Sequence, residues 1–282
     1  AAQHNISLTA HDENWILSLL ELPLTQVVKV HLKIDSGMHR LGLTHAQQVT
    51  TYFNLLNEAP MIEVEGIFTH MATADSDLDY LNHQIAVFKD LISSLDLSQV
   101  RYIHLENTAT LLQEDYDFDN SIRLGLGLYG INPDDEFIKL DFDLMPALKL
   151  FSNLVQVKQI RKGQKVGYGA TYEAAEDEWI GVVPIGYADG WTRSHQGRHV
   201  VVDGHECEII GRVCMDQMMI RLPKRYELGT IVTLIGDGMP VERVAQEIGT
   251  ISYEILCLIS DRVPRVYKQN NEIIAIKKMR FE

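Results

Sequence analysis

The spacing of apolar positions changes character part-way along the chain. Up to about residue 130, short β-branched runs alternate with longer stretches of helical spacing. The runs lie at residues 26–34, 62–69, 100–105 and 121–124. Between them, 12–20 sets Trp15, Ile16, Leu19 and Leu20 on one helical face, and 45–56 and 80–92 repeat the pattern. Such alternation predicts a parallel sheet with crossover helices. The runs are mostly continuous in apolar residues, which predicts strands buried on both faces.

An acidic join at 132–146, bounded by Pro133 and Pro146, ends this pattern. Short strands follow at 148–160, 179–184, 199–202, 206–213, 217–222 and 230–235, with turn dipeptides at Asp203-Gly204 and Asp237-Gly238. One helix is predicted at about 241–248, begun by Pro240. The expected division is an α/β domain over residues 1–140 and a mainly β domain over 141–282. No internal repeat is present. The first part offers about four strand–helix units, where a β/α barrel needs eight in roughly 250 residues. Either the sheet is open, or the barrel begins before this sequence does.

Composition narrows the function more than the fold. The formal net charge is −14, from 39 acidic and 25 basic residues. That balance argues against nucleic-acid binding, which calls for a basic face. No apolar run approaches the roughly 18 residues that span a bilayer. Three cysteines, Cys207, Cys214 and Cys257, cannot all pair and lack zinc-site spacing, so reduced thiols, a cytoplasmic location and no metal are expected. The opening residues carry no signal-peptide pattern and no initiator methionine, which reads as a chain starting in mid-protein.

Gly125-Leu-Gly-Leu-Tyr-Gly130 matches the dinucleotide fingerprint letter for letter. That fingerprint also needs a helix opening at its glycines, and Ile131-Asn-Pro133 with acids after it prevents a long one. A nicotinamide site is therefore not expected, although such glycines suit a close approach of backbone to an anion. Elsewhere, polar residues gather where strands end: Lys33, Asp35 and Arg40; His70; His104, Asn107 and Thr108; Arg123. Alone, His70 reads best as a satisfied buried histidine, Arg123 as a surface ion pair and Lys33 as a snorkelling stem. Four such strand ends in succession favour a site, because barrels place their chemistry at the carboxyl ends of strands. In the second part, Tyr168 stands between glycines on a strand-like stretch, Tyr187 lies in a glycine-rich turn, and Cys214, Met215 and Asp216 are consecutive. For Cys214 and Tyr168 packing roles weigh as much as chemical ones.

Taken together, the segments LKIDSGMHRLG, THMATAD, ENTAT, RLGLGLYG, GYGATY, PIGYADGW, GRVCMDQ, ISYE and RVPR resemble the alanine racemases, over about residues 32–267. The resemblance implies a partial β/α (TIM) barrel followed by a mainly β C-terminal domain, pyridoxal 5′-phosphate (PLP) as cofactor, and a cytoplasmic homodimer with shared sites. It implies interconversion of L- and D-alanine, the latter for bacterial peptidoglycan. Arg123 should meet the pyridine nitrogen, with His70 linking it to the catalytic Tyr168. Asn107, Thr108, the backbone of Gly125 and Leu126, and the Tyr253 hydroxyl should hold the phosphate. Arg40 should reach the cofactor phenolate and the substrate carboxylate. Lys33 matches a lysine that carries a carbamate in many members, an anion able to fix Arg40. Tyr168 should act in the other subunit's site, with Met215, Asp216 and Cys214 beside it and Tyr187 at the entrance.

Racemisation needs two acid/base groups on opposite faces of Cα. The family's second group is the Schiff-base lysine, and no segment among residues 1–33 resembles its motif, so these 282 residues alone are expected to be inactive. A racemase of broader choice, serine included, is the near alternative. A non-catalytic PLP-binding protein or inert fragment is the distant one.

Overall fold

The structure, a computed structural model, describes residues 1–113 and 116–278. It divides into two compact units, Ala1–Met145 and Pro146–Glu282.

In the first unit, four parallel strands lie in chain order across one sheet: β1 (Leu8–Ala10), β2 (Val28–Lys33), β3 (Ile62–Phe68) and β4 (Tyr102–His104). Each is followed by a helix: α1 (Glu13–Leu20), α2 (Ala46–Glu58), α3 (Leu78–Ile92) and the short α4 (Thr108–Leu111). Unbroken order is that of a barrel wall, whereas a doubly wound sheet reverses midway. The helices start where capping residues allow. Asp12 Oδ1 accepts from the Trp15 amide at 3.0 Å, and Asp77 Oδ1 from the Tyr80 amide at 3.1 Å. Val49, Tyr52, Phe53 and Leu56 of α2, and Leu81, Ile85, Phe88 and Leu91 of α3, recur at helical spacing. They share one buried core with Val28, Val30 and Leu32 of β2.

Two sequence expectations fail here. The strands are not apolar on both faces. β2 reads V-K-V-H-L-K, so Lys29, His31 and Lys33 alternate onto the face away from the core. The pairing of β2 with β3 also skips a residue: Val30 pairs with Val64 and His31 with Gly66, leaving Glu65 as the extra residue of a bulge. The second failure is the strand expected at 121–124. No ladder forms there. The Asn120 amide donates to Ile103 O at 3.0 Å and the Arg123 amide to Glu106 O at 3.0 Å, and the chain then turns at Leu126–Tyr129 in a 3-10 turn.

The second unit holds a seven-stranded antiparallel sheet. Its strands are β5 (Leu150–Asn153), β6 (Gln156–Ile160), β9 (Glu178–Val183), β10 (His199–Val202), β11 (His205–Ile210), β12 (Met218–Leu222) and β13 (Ile231–Ile235), in the order β5-β13-β10-β11-β12-β9-β6. Between β6 and β9 lie the two-residue strands β7 (Lys165–Val166) and β8 (Tyr172–Glu173). The single strand expected at 148–160 is two strands on opposite edges. The Leu154 amide donates to Thr230 O and the Val155 amide to Val182 O, so the chain leaves one edge and joins the other within two residues. Flat, those edges would stand roughly 30 Å apart. The sheet therefore curls upon itself. Helix α5 (Val241–Ile248) is where the pattern placed it, stopped by Gly249 at φ 75°. A second helix, α6 (Ser252–Leu258), was not expected, because seven residues burying only Ile255 leave no periodic signal. A hairpin of β14 (Arg265–Gln269) and β15 (Glu272–Lys277) follows.

Candidate active site

Chemistry in the first unit gathers at the carboxyl ends of β2, β3 and β4. At the end of β2, Lys33 is buried and its Nζ has no hydrogen-bond partner among the described residues. It lies 4.8 Å from the centre of the Phe68 ring. Burial first, and then the Arg123 charge, push its pKa down to about 8. The loop after it is pinned from inside. Asp35 Oδ1 receives the amides of Gly37 at 3.0 Å and His39 at 2.9 Å, and Leu43 returns to β2 through Lys33 O at 2.9 Å. Gly42, at φ 129°, has no room for a side chain: a Cβ would meet the Asp35 nitrogen at 2.5 Å. The loop presents Arg40, exposed, whose charge is still felt by Lys33 and His70.

His70 follows β3 on a segment held by the fully buried Gln84. The Gln84 Oε1 accepts from the Ala72 amide at 2.8 Å, and its Nε2 reaches His70 O at 3.4 Å. Burial, with the charges of Arg123, Lys33 and Arg40, pushes the His70 pKa down to about 4. After β4, Asn107 Oδ1 caps α4, accepting from the Thr110 amide at 3.0 Å. The buried Thr108 Oγ1 accepts from the amides of Gly125 at 2.9 Å and Gly127 at 3.3 Å, which leaves its own proton to give.

Arg123 joins these strand ends. Its Nη1 donates to His104 Nδ1 at 2.5 Å and to His104 O at 3.1 Å. Its Nη2 donates to Thr69 O at 2.8 Å, Leu105 O at 3.1 Å and His70 Nδ1 at 3.3 Å. Arginine only donates, so both imidazoles accept at Nδ1 and are neutral there. The Nη hydrogens are thereby taken up by protein acceptors, and among the described residues none accepts from Nε–H. The structure brings Lys33, His70, Thr108, Arg123 and Gly125 together, with Leu126 opening the adjacent 3-10 turn. Cations, neutral imidazoles and a free hydroxyl proton suit a ligand with an anionic end and a ring acceptor, which is the chemistry of PLP. His104 was visible in the sequence only as a strand end. Its role follows from the Arg123 contact, which no local pattern announces.

In the second unit, Tyr168 is not on a strand. It begins a 3-10 turn, Tyr168–Ala170, between β7 and β8, with Gly167 at φ 75° and Gly169 at φ 72°. A Cβ on Gly169 would meet the Arg212 guanidinium at 3.2 Å, so this turn lies against the segment leading to Cys214. Tyr168 is 72% exposed and Met215 54%. The Tyr187 amide donates to Cys214 O at 3.1 Å and the Ala188 amide to Met215 O at 3.0 Å, so the two loops are stacked backbone to backbone. Gly186 permits this, since a Cβ there would lie 2.3 Å from Cys214 O. Asp216 accepts from Arg262 Nη2 at 2.6 Å, and Asp189 lies 3.6 Å from Arg262 Nε. The sequence reading missed Arg262. Tyr253 is on α6 and half-exposed. All three cysteines are free thiols.

The model of the alanine racemase N-terminal domain matches residues 1–133, and that of the alanine racemase C-terminal domain matches residues 147–267. The chain is 45% identical to an alanine racemase of Pediococcus pentosaceus, over 97% of this chain and 74% of that protein. Among solved structures it superimposes on the alanine racemase of Bacillus anthracis with bound L-Ala-P at a TM-score of 0.92 and 38% identity, covering 98% of this chain and 74% of that one. It also superimposes on a histidine racemase from Leuconostoc mesenteroides at a TM-score of 0.81 and 30% identity, covering 92% and 72%.

Proposed function

The chain belongs to the alanine racemase family, and from that premise we propose that it interconverts L- and D-alanine with PLP, as a cytoplasmic homodimer. One observation carries the reading: Arg123 is fixed by backbone carbonyls and two neutral imidazoles, with no described residue accepting from Nε–H. When bound, PLP supplies an electron-withdrawing ring that acidifies the Cα–H of the amino acid. Arg123 offers the ring nitrogen a donor that does not release its proton. With PLP bound, a proton-retaining Arg123 beside the ring nitrogen would leave that nitrogen uncharged, which would temper the electron sink and disfavour side reactions. The Thr108 hydroxyl, the backbone at Gly125 and Leu126, Asn107 and the Tyr253 hydroxyl are assigned to the phosphate. Arg40 is assigned to the substrate carboxylate, oriented by Lys33 as its carbamate.

Tyr168 is the proposed acid/base group on one face of Cα, its phenol oxygen removing the proton there in one direction and supplying it in the other, while a second group serves the opposite face. We assign Met215, Asp216, Cys214 and Tyr187 to the substrate's surroundings, contributed with Tyr168 by the partner copy. An exposed phenol and thioether are reasonable on a surface that a second copy covers. The opposite face needs the family's Schiff-base lysine, which we assign to no residue of this sequence.

The test is Cα deuterium exchange, followed separately in L- and D-alanine in heavy water by the PLP-loaded protein in a form that includes the Schiff-base lysine. The wild type should exchange both. Tyr168→Phe should lose exchange by about 10²- to 10⁴-fold in one enantiomer only, because only one face loses its proton carrier. Equal racemisation by Tyr168→Phe and wild type would overturn the assignment.

A second reading, racemisation of another amino acid, draws support from the likeness to the Leuconostoc histidine racemase. Pockets discriminate weakly per methylene. Side-by-side turnover of alanine, serine and histidine separates the two readings, and a clear preference for either of the latter favours the second.

A further inference from the structure

The coreless face of the first unit's sheet carries a continuous file of polar side chains, running from Arg123 to a buried carboxylate. Arg123 Nη1 lies 2.5 Å from His104 Nδ1. His104 Nε2 lies 2.8 Å from His31 Nδ1, and His31 Nε2 lies 3.2 Å from Glu65 Oε2. Glu65 also accepts from Ser7 Oγ at 2.5 Å and from Lys29 Nζ at 2.9 Å. The ends fix the direction of every bond between them. Arginine can only donate, and an ionised carboxylate can only accept. His104 must therefore accept at Nδ1 and carry its proton on Nε2. His31 must do the same. Neither ring is free to choose its tautomer.

Three features show that the backbone is shaped around this file. The bulge in β3 sets Glu65 as its extra residue and leaves it buried. The next residue is Gly66, where a Cβ would stand 2.4 Å from His31 Nδ1. The rings are flanked by others: Tyr102 stacks on His31 at 5.9 Å between centroids, and Phe68 on His104 at 4.7 Å. Barrel walls are ordinarily filled by branched apolar side chains. A wall that holds a buried carboxylate, a buried imidazole and a half-buried one instead gives up stability that such packing would provide. Both ends of the file are charged and its middle is neutral. Burial and the Arg123 charge push the His104 pKa down to about 3, while the Ser7 hydrogen bond, opposed by burial and reinforced by Lys29, holds Glu65 near 2.

We propose that His31 and Glu65 are positioning residues for the reaction, locking His104 in its Nε2–H tautomer and so holding Arg123 in register for the cofactor ring. The catalytic part of this inference rests on the racemase reading, while the tautomer lock does not. Without the carboxylate, His31 can place its proton on Nδ1, facing the Nε2–H of His104. One ring must then turn, and Arg123 loses an acceptor.

The test uses the PLP-loaded protein in a form that includes the Schiff-base lysine, labelled with ¹⁵N-histidine. Long-range ¹H–¹⁵N correlation reads each ring's tautomer, and kcat and KM are measured for L-alanine. In the wild type, His31 and His104 should both be neutral with the proton on Nε2. Glu65→Gln keeps an acceptor oxygen for His31, so it should keep both tautomers and a kcat within about threefold of wild type, whereas Glu65→Leu should mix the tautomers and lower kcat by about tenfold or more at little change in KM. A wild-type His104 protonated on Nδ1 would overturn the lock. So would a Glu65→Leu protein with unchanged tautomers and kcat, or a Glu65→Gln protein as impaired as Glu65→Leu. If Glu65→Leu does not fold, the wild-type spectrum and Glu65→Gln decide. Locked tautomers in a protein that racemises no amino acid would sink the racemase reading and leave the lock standing.

Discussion

Lys33 closes β2 with a buried amine that no described group hydrogen-bonds. An ammonium is poorly served there, because it has lost water and faces the Arg123 charge. With its pKa at about 8 instead of 10.5, about a tenth of the amine is neutral at pH 7, against less than about a thousandth for an exposed lysine. Only the neutral amine adds carbon dioxide. Incubation with ¹³C-bicarbonate is expected to give one protein-bound carbamate signal by NMR, absent from Lys33→Gln. The signal should strengthen as pH rises towards 8. An unlabelled wild type would leave Arg40 without the anion proposed to orient it.

Helix α3 shows how capping and burial combine. Asp77 closes its amino end, and the fully buried Phe88 fills the core beneath it. Asp77→Ala is expected to destabilise the first unit by about 1 kcal/mol, and Phe88→Ala by about 3–5 kcal/mol. Urea unfolding followed by circular dichroism measures both. Helices α1, α2, α3 and α5 and most strands of the seven-stranded sheet were legible because each carries its own local signal: a cap, a period or a turn dipeptide. What was not legible depends on distant partners. Residues 121–124 look like a strand, yet meet the sheet through single bonds because Arg123 turns its side chain into it. Residues 148–160 look like one strand because nothing local tells that their two halves pair with β13 and β9. Tyr168 stood out between glycines, but only the short β7–β8 pairing makes its stretch a turn. The alternation of Lys29, His31 and Lys33 along β2 was passed over as part of an apolar run, because its meaning needed Glu65 and His104 to be seen beside it.

Over the whole molecule, two neutral imidazoles, one buried and one half-buried, and a buried carboxylate make stability depend on acidity. His70 and His104 titrate at about 4 and about 3, below the ordinary 6.5, and Glu65 at about 2, below 4.5. Between those limits the unfolded chain binds more protons than the folded one. The stabilisation is therefore complete above about pH 6.5 and drains away as pH falls towards 3, with the Glu65 share going last. The urea midpoint should fall steadily over that range, and His104→Gln should flatten the slope. A midpoint independent of pH between 7 and 4 would contradict the neutral state of both rings. No helix among the described residues is long and apolar enough to cross a membrane.

The curled sheet of the second unit also sets a timetable for biosynthesis. Asn153 finds its partner only in Ile231 of β13, and β9, β10, β11 and β12 are all made before that partner exists. At roughly 5–20 residues per second, a ribosome leaves β5 waiting for several seconds with an unsatisfied edge. The first unit, whose strands pair in the order they emerge, has no such delay. Slowed translation between β5 and β13 would lengthen the interval in which that bare edge can be captured by a neighbouring nascent chain, so the yield of soluble protein should answer to codon choice there more than anywhere upstream.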